Sequence, residues 1–381
     1  MKTPLLDELG TDGFSLALFV TKVSDSKIES VDDIVRQCDA CMDNVFGKID
    51  RLTAWIHLTD SCNLRCSYCF LPHEPKSLSI GMGKKIIDSL VRTAKDNGIK
   101  KLKLKYAGGE PLQNFNTLKA LHQYAIDSDI EIIASLLTNG TMLNQEVLEW
   151  IKNSGVQLVI SLDSISGSQR VYKNGEESST LVMKNIESAI ANGVKPSITI
   201  TIQSETVDGL PELLEWILEK ELQFSINFYK GKEPIDTQKI IDGMLKAFKI
   251  IEKNPPKQSL LNSLLDMTNL AEPHLRSCSV GQNYIIFDTD GNISQCPMTM
   301  NQPVSDVNSD SILADIQNSS NSLKNPSVDE IDECKECQWR YWCGGGCAVV
   351  NSFCSGKSPY CEVYKRLFPE VLRLGNPIKS F

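Results

Sequence analysis

The placing of the cysteines constrains this chain more than any other feature of it. Thirteen occur in 381 residues, and they fall in blocks. Cys38 and Cys41 come first, followed by a tight group of Cys62, Cys66 and Cys69. The 208 residues from Phe70 to Ser277 contain none. Cys278, Cys296, Cys334, Cys337, Cys343, Cys347, Cys354 and Cys361 then crowd the C-terminal quarter. A disulfide scaffold would spread its cysteines through the fold. Asp7, Glu8 and Asp12 also interrupt any apolar core that an export signal would need. The pattern predicts two metal-binding regions on either side of a cysteine-free body. The 39 Lys and Arg against 48 Asp and Glu give a net charge of −9. That balance argues against a general nucleic-acid binder and against a polybasic membrane anchor. Apolar runs are too short to span a bilayer, so the expected location is the cytoplasm.

The body alternates short apolar runs with helical periods. Strands are predicted at 54–58, 102–106, 130–137, 156–162, 197–202 and 224–228, rich in Ile, Val, Leu and aromatics. Helices are predicted at 81–97, 115–126, 144–152, 181–191 and 211–220. Six β-α units imply a parallel sheet with right-handed crossovers, two units short of a closed eightfold barrel. The expected fold class is α/β, a partial (β/α)6 TIM-like barrel with a small C-terminal metal-bound domain. Ligand chemistry should then sit at the C-terminal strand ends. The expected divisions are an N-terminal extension at 1–50, the barrel at 51–235, a helical bridge at 236–276, a cysteine-rich domain at 277–366 and a tail at 367–381.

Cys62-x3-Cys66-x2-Cys69 follows the first strand directly. Three thiolates from one loop can hold three irons of a 4Fe-4S cluster and leave the fourth iron open. A Cys3His zinc site with His57 or His73 is the alternative. The segment Cys62–Phe70, with Tyr68 before the last cysteine, resembles the signature of radical S-adenosylmethionine (radical SAM) enzymes. The resemblance continues through Gly108-Gly109-Glu110 after the second strand and Thr138-Asn139-Gly140 after the third. It extends to Ser161 and Asp163 at the end of the fourth. It implies that Tyr68, Gly108, Gly109, Glu110, Thr138, Asn139, Ser161 and Asp163 surround SAM, with backbone at the double glycine bonding its amino group. Family members often carry an Arg after the fourth strand against the SAM carboxylate. Lys173 stands at that count here, with Arg170 a possible substitute; Lys supplies the charge without the bidentate fork. The implied chemistry is reductive cleavage of SAM to methionine and a 5′-deoxyadenosyl radical that abstracts hydrogen from an unactivated C–H. A flavodoxin- or ferredoxin-type donor would supply the electron.

Downstream, Cys278, then Gly291-x4-Cys296, then Cys334-x2-Cys337-x5-Cys343-x3-Cys347 and Cys361 resemble the SPASM extension of such enzymes. That resemblance implies two auxiliary 4Fe-4S clusters, three clusters in all. Cys334, Cys337, Cys343 and Cys361 would hold one, and Cys278, Cys296 and Cys347 the other. Cys354 is either a fourth ligand or a free thiol. A zinc ribbon is the alternative for this region, and a zinc-stabilised binding protein without catalysis is the alternative for the whole chain. Gly344-Gly345-Gly346 would let the backbone wrap closely around a cluster. Cys38 and Cys41 read as structural on a helix at 31–46. Residues 14–23 read as an edge strand that caps the barrel or grips a peptide. SPASM enzymes mostly modify peptides and proteins, so the expected partner is a precursor peptide or protein. Pro297 follows Cys296 where sulfatase maturases usually carry a basic Asp. That substitution shifts the expectation towards oxidative crosslinking of side chains, as a thioether or carbon–carbon bond. Sulfatase-type maturation and epimerisation are the alternatives.

Overall fold

The computed structural model describes residues 49–375 except 168, 320–322 and 355. The features expected at 14–23, at 31–46 and at Cys38 and Cys41 lie outside the described residues. The chain divides into two compact units. One comprises Ile49–Ser225 and Ser279–Lys324; the other comprises Ile226–Cys278 and Asn325 onwards.

The larger unit is built on a sheet in the order β6-β5-β4-β3-β2-β1-β7-β8-β9. Strands β1 (Arg51–His57), β2 (Lys101–Ala107), β3 (Glu131–Thr138), β4 (Gln157–Ser161) and β5 (Ser197–Ile202) pair in parallel. β6 (Gln223–Phe228) follows them, and the division between the units falls within it. The sheet is not closed, as the partial-barrel expectation requires. Its strands are two-faced. In β2, Leu102, Leu104 and Tyr106 are fully buried while Lys101, Lys103 and Lys105 occupy the other face. The crossover helices are α1 (Ile80–Asp96), α2 (Phe115–Ile126), α3 (Gln145–Ser154), α4 (Ser179–Ala191) and α5 (Leu210–Glu219). α1 starts where Ser79 Oγ accepts the Met82 N–H, and it buries Ile86, Ile87 and Leu90. Burying each such side chain contributes about 1.5–3 kcal/mol.

Three strands lie beyond the six expected from sequence. β7 (Tyr284–Phe287) pairs parallel with β1 and antiparallel with β8 (Asn292–Ser294), which in turn pairs with β9 (Ser305–Asp306). Segment 279–324 therefore packs with the body rather than with the cysteine-rich region. A short helix, α6 (Ile312–Asn318), ends this segment.

In the second unit, α7 (Thr237–Lys253) is capped by Asp236, which accepts the Lys239 N–H. Residues after 254 form turns rather than a continuous helical bridge. Two short helices follow, α8 (Arg340–Cys343) and α9 (Ala348–Phe353). The last helix, α10 (Cys361–Gly375), runs through Pro369 and packs against α7. Its buried face of Val363, Tyr364, Leu367, Phe368 and Val371 holds it together where a tail was expected from residue 367. Tyr364 stacks between Phe228 and Phe368 at ring distances of 5.6 and 5.9 Å. No helix among the described residues is long and apolar enough to cross a membrane.

Candidate active site and metal centres

The loop after β1 is fastened to the end of β2 by backbone. The Gly109 N–H donates to Thr59 O at 2.6 Å and the Glu110 N–H to Ser61 O at 2.8 Å. A Cβ at Gly109 would lie 2.3 Å from Ser61 O, so only glycine permits this approach. With those N–H groups engaged, the carbonyls of Gly108 and Gly109 accept no hydrogen bond among the described residues.

Glu110 is fully buried beneath them. One carboxylate oxygen accepts from Leu112 N–H and Thr138 Oγ1, and the other from Asn139 N–H at 2.8 Å. Burial pushes its pKa up, and those hydrogen bonds oppose the rise. The carboxylate thus pins the end of β3 to the end of β2. Asn139 carries the link onward, its amide donating to Asn63 Oδ1 at 2.9 Å and approaching Cys62 Sγ at 3.7 Å. Asn63 in turn donates to Thr141 Oγ1.

The other side of the cysteine loop is held by segment 169–172. The Arg65 N–H donates to Val171 O at 2.7 Å and the Ser67 N–H to Gln169 O. Cys62, Cys66 and Cys69 are all partly buried and near enough to act on one another electrostatically. Burial pushes the Cys66 thiol up to about 11, with Cys69, Asp163 and Cys62 adding to the rise and Arg170 opposing it. Burial likewise raises Cys62. Three thiolates crowded in one half-buried loop therefore call for cationic charge, which a cluster iron supplies to each.

Tyr68, Asp163 and Arg170 form a second knot at the end of β4. Tyr68 Oη donates to Asp163 Oδ2, and Arg170 donates to Tyr68 Oη at 2.6 Å and lies 3.7 Å from Asp163. Asp163 Oδ1 accepts the Thr201 N–H from β5. Ser161 closes β4 half-buried on the same face as Val159. Next to Asp163, the buried Ser164 Oγ has no hydrogen-bond partner among the described residues. Sequence reasoning missed Ser164, Asn63 and the Asn139 link to Cys62, although Asn63 lies within the motif itself.

Lys173 keeps different company. It lines a cleft of about 730 Å³ with Cys62, Arg65, His73 and Glu176. Burial, Arg65 and Lys173 together lower the His73 pKa. His57 is engaged on both ring nitrogens, with Asp60 at 2.8 Å and Trp55 at 3.4 Å. Among the described residues no three His, Cys, Asp or Glu side chains stand close enough to bind a single metal ion. Neither zinc alternative gains support from these positions. A cluster differs in taking one thiolate per iron, so its ligands stand further apart.

In the second unit, Cys334, Cys337, Cys343 and Cys361 converge. Burial pushes Cys343 up to about 12, and Cys361, Cys334 and Cys337 add to the rise. Cys334 is raised by burial and by Cys337 and Cys361. Gly344, Gly345 and Gly346 follow with φ of 62°, 82° and 80°, turning the chain back on itself. Each of their carbonyls is held, by the Ser277 N–H, Asn351 Nδ2 and Ser277 Oγ respectively. Cys278 accepts from Asn325 at its carbonyl, 3.0 Å. Cys347 caps α9, and Cys354 is exposed at that helix's other end. Cys296 belongs to the larger unit, where it precedes a turn of 3₁₀ helix at Pro297–Thr299.

Residues 56–217 match the model of the Radical SAM superfamily. The chain is similar to a cysteine-type anaerobic sulfatase-maturating enzyme of Clostridium perfringens, at 22% identity over 369 residues, covering 84% of this chain and 97% of that one. Its fold is similar to a structure described as anSMEcpe with bound AdoMet, with a TM-score of 0.68 and 19% identity over 86% of this chain and 99% of that chain. It is also similar to Streptococcus suis SuiB bound to precursor peptide SuiA, with a TM-score of 0.58 and 18% identity over 93% and 85% of the two chains. The matched stretch carries the cysteine loop, the double glycine and the Asp163 knot at the ends of β1, β2 and β4, and residues 56–217 are a radical SAM domain.

Proposed function

We propose that this enzyme is a peptide or protein maturase that oxidatively crosslinks side chains of a precursor peptide. The observation that carries the reading is the second set of converging thiols, Cys334, Cys337, Cys343 and Cys361, remote in sequence from the first. A crosslink removes two hydrogens and two electrons from the substrate; one electron would leave with the hydrogen atom taken by the 5′-deoxyadenosyl radical, and the second needs an acceptor in the chain. When bound, SAM and its cluster would supply the radical and an auxiliary cluster would take the one surplus electron.

The chain's own part is to hold and to orient. Cys62, Cys66 and Cys69 would ligate three irons of the SAM-binding cluster. The carbonyls of Gly108 and Gly109 would accept from the SAM amino group. Thr138 and Asn139 would be fixed beside it by Glu110. Arg170 is the better-placed partner for the SAM carboxylate, because it stands beside Asp163 and Tyr68 while Lys173 stands beside His73. In the second region Cys334, Cys337, Cys343 and Cys361 would ligate one auxiliary cluster. Cys278, Cys296 and Cys347 would ligate the other, with Cys354 as the reserve ligand. Partners would be a precursor peptide or protein and a flavodoxin- or ferredoxin-type donor in the cytoplasm.

Sulfatase-type maturation is the second reading, favoured by the near full-length similarity to the Clostridium perfringens enzyme. Pro297, opening a 3₁₀ turn where a basic carboxylate would be needed, weighs against it. The test is anaerobic purification followed by SAM and dithionite. About twelve irons per chain and release of 5′-deoxyadenosine are expected. A co-expressed precursor should lose two hydrogens by mass spectrometry. An unchanged mass would favour epimerisation, and a colourless chain that leaves SAM intact would sink the proposal.

A further inference from the structure

The sheet face opposite the crossover helices carries unpaired positive charge. On β2, Lys101, Lys103 and Lys105 alternate with the buried Leu102, Leu104 and Tyr106. Register decides what each lysine meets. Lys101 sits opposite Glu131 of β3 and pairs with it at 3.4 Å. Lys103 lies between Thr53 and Ile133, and Lys105 between Trp55 and Ser135. Neither row contains a carboxylate, and neither lysine makes an ion pair among the described residues. Arg51, at the start of β1, adds its charge to both.

Lys105 is the most enclosed of the three. Its ammonium lies 5.1 Å from the centre of the Tyr284 ring on β7. Burial, with Lys103 and Arg51, pulls its pKa down to about 8. Three cations on adjoining strands of a chain with net charge −9 cost folding free energy unless something anionic visits them. Lys105 is three residues before Gly108, so this face begins about 10 Å along the strand from the double glycine.

We propose that this face of β1 and β2 is a carboxylate-binding subsite for the substrate, with Lys105 and Lys103 as its anchors, and that the enzyme acts on an acidic peptide segment. The inference rests on the peptide-maturase reading and narrows its substrate class. Lys105 holds one carboxylate of the peptide against Tyr284 and Trp55, and Lys103 and Arg51 reinforce it. The reacting C–H then lies further up the strands, towards the glycine end.

The test uses the cluster-loaded full chain and two probes, N-acetylated tetraglutamate and tetraglutamine peptides, at 150 mM salt. The acidic peptide should bind at least tenfold more tightly. Lys105→Met and Lys103→Met keep the apolar stem and should each weaken its binding about fivefold or more. As a measurement free of variants, Lys105 acetylation followed by mass spectrometry should be slowed by tetraglutamate and not by tetraglutamine. Equal binding of the two peptides would overturn the proposal. So would tighter protection of Lys105 by GTP than by tetraglutamate, which would mean a phosphate site, or protection of Lys105 in the enzyme alone, which would mean a filled face. The unmodified enzyme's release of 5′-deoxyadenosine is scored separately. Peptide binding without that release would keep this subsite and remove the maturase reading; release without acidic preference would do the reverse.

Discussion

In the loop after β1, side chains from neighbouring strands hold the cysteines in place, whereas in the C-terminal region turns of backbone do so. Glu110 and Asn139 reach from β2 and β3 to position Cys62, and both belong to a sheet with a large apolar core. Around Cys334 and Cys343 the helices are four and six residues long, and Val328 and Tyr341 form a small buried cluster with a few partly buried neighbours. The first set of thiols is a site placed on a scaffold that stands without it. The second is built from short helices and turns, and a cluster bound there would contribute to its folding.

The sharpest way to break this contrast is to remove one thiol from each. Cys66→Ala should abolish SAM cleavage, by more than about a thousandfold, with auxiliary iron retained and the melting temperature little changed. If cleavage survives, Cys66 is not a ligand. Stripping all iron with a chelator comes next in size. Amide exchange should rise by orders of magnitude across 334–361 while the strands β1 to β5 stay protected; equal loss in both would erase the distinction. Glu110→Gln presents an amide donor where Asn139 N–H or Thr138 Oγ1 donates now. It should cost about 1–3 kcal/mol in denaturant unfolding and weaken SAM binding more than Lys173→Met does. Smallest is Gly345→Ala, at φ 82° with its Cβ 2.9 Å from Ile331, which should cost about 1–2 kcal/mol. That cost should appear in auxiliary-iron retention and leave SAM cleavage by the first cluster in place.

The same contrast explains what could be read in advance. Strands β1 to β6 were legible because each carries apolar residues at close or alternate positions and is bounded by turns. The run expected at 102–106, for example, became Lys101–Ala107. The three-cysteine loop and the double glycine were legible because each is contiguous. β7 to β9 were not, since they hold four, three and two residues and owe their existence to pairing with distant β1. Asp288-x-Asp290-Gly291, with Asp288 accepting from Asn292, was the turn signal that could have announced the hairpin. The Glu110–Asn139–Cys62 chain and the isolation of Lys105 depend on which strand ends and which rows become neighbours, and no local pattern carries that information.

The pairing of β1 with β7 has a consequence for biosynthesis. Thr53 faces Tyr284, so one edge of β1 waits for 231 further residues to be made. At elongation rates of about 5–20 residues per second that is roughly ten to fifty seconds. During that interval the nascent sheet displays an unsatisfied edge beside the strand that leads into Cys62, a template for pairing with the wrong chain. Overexpression faster than chaperones can attend should therefore yield aggregates nucleated at β1, and slower synthesis at low temperature should recover soluble enzyme.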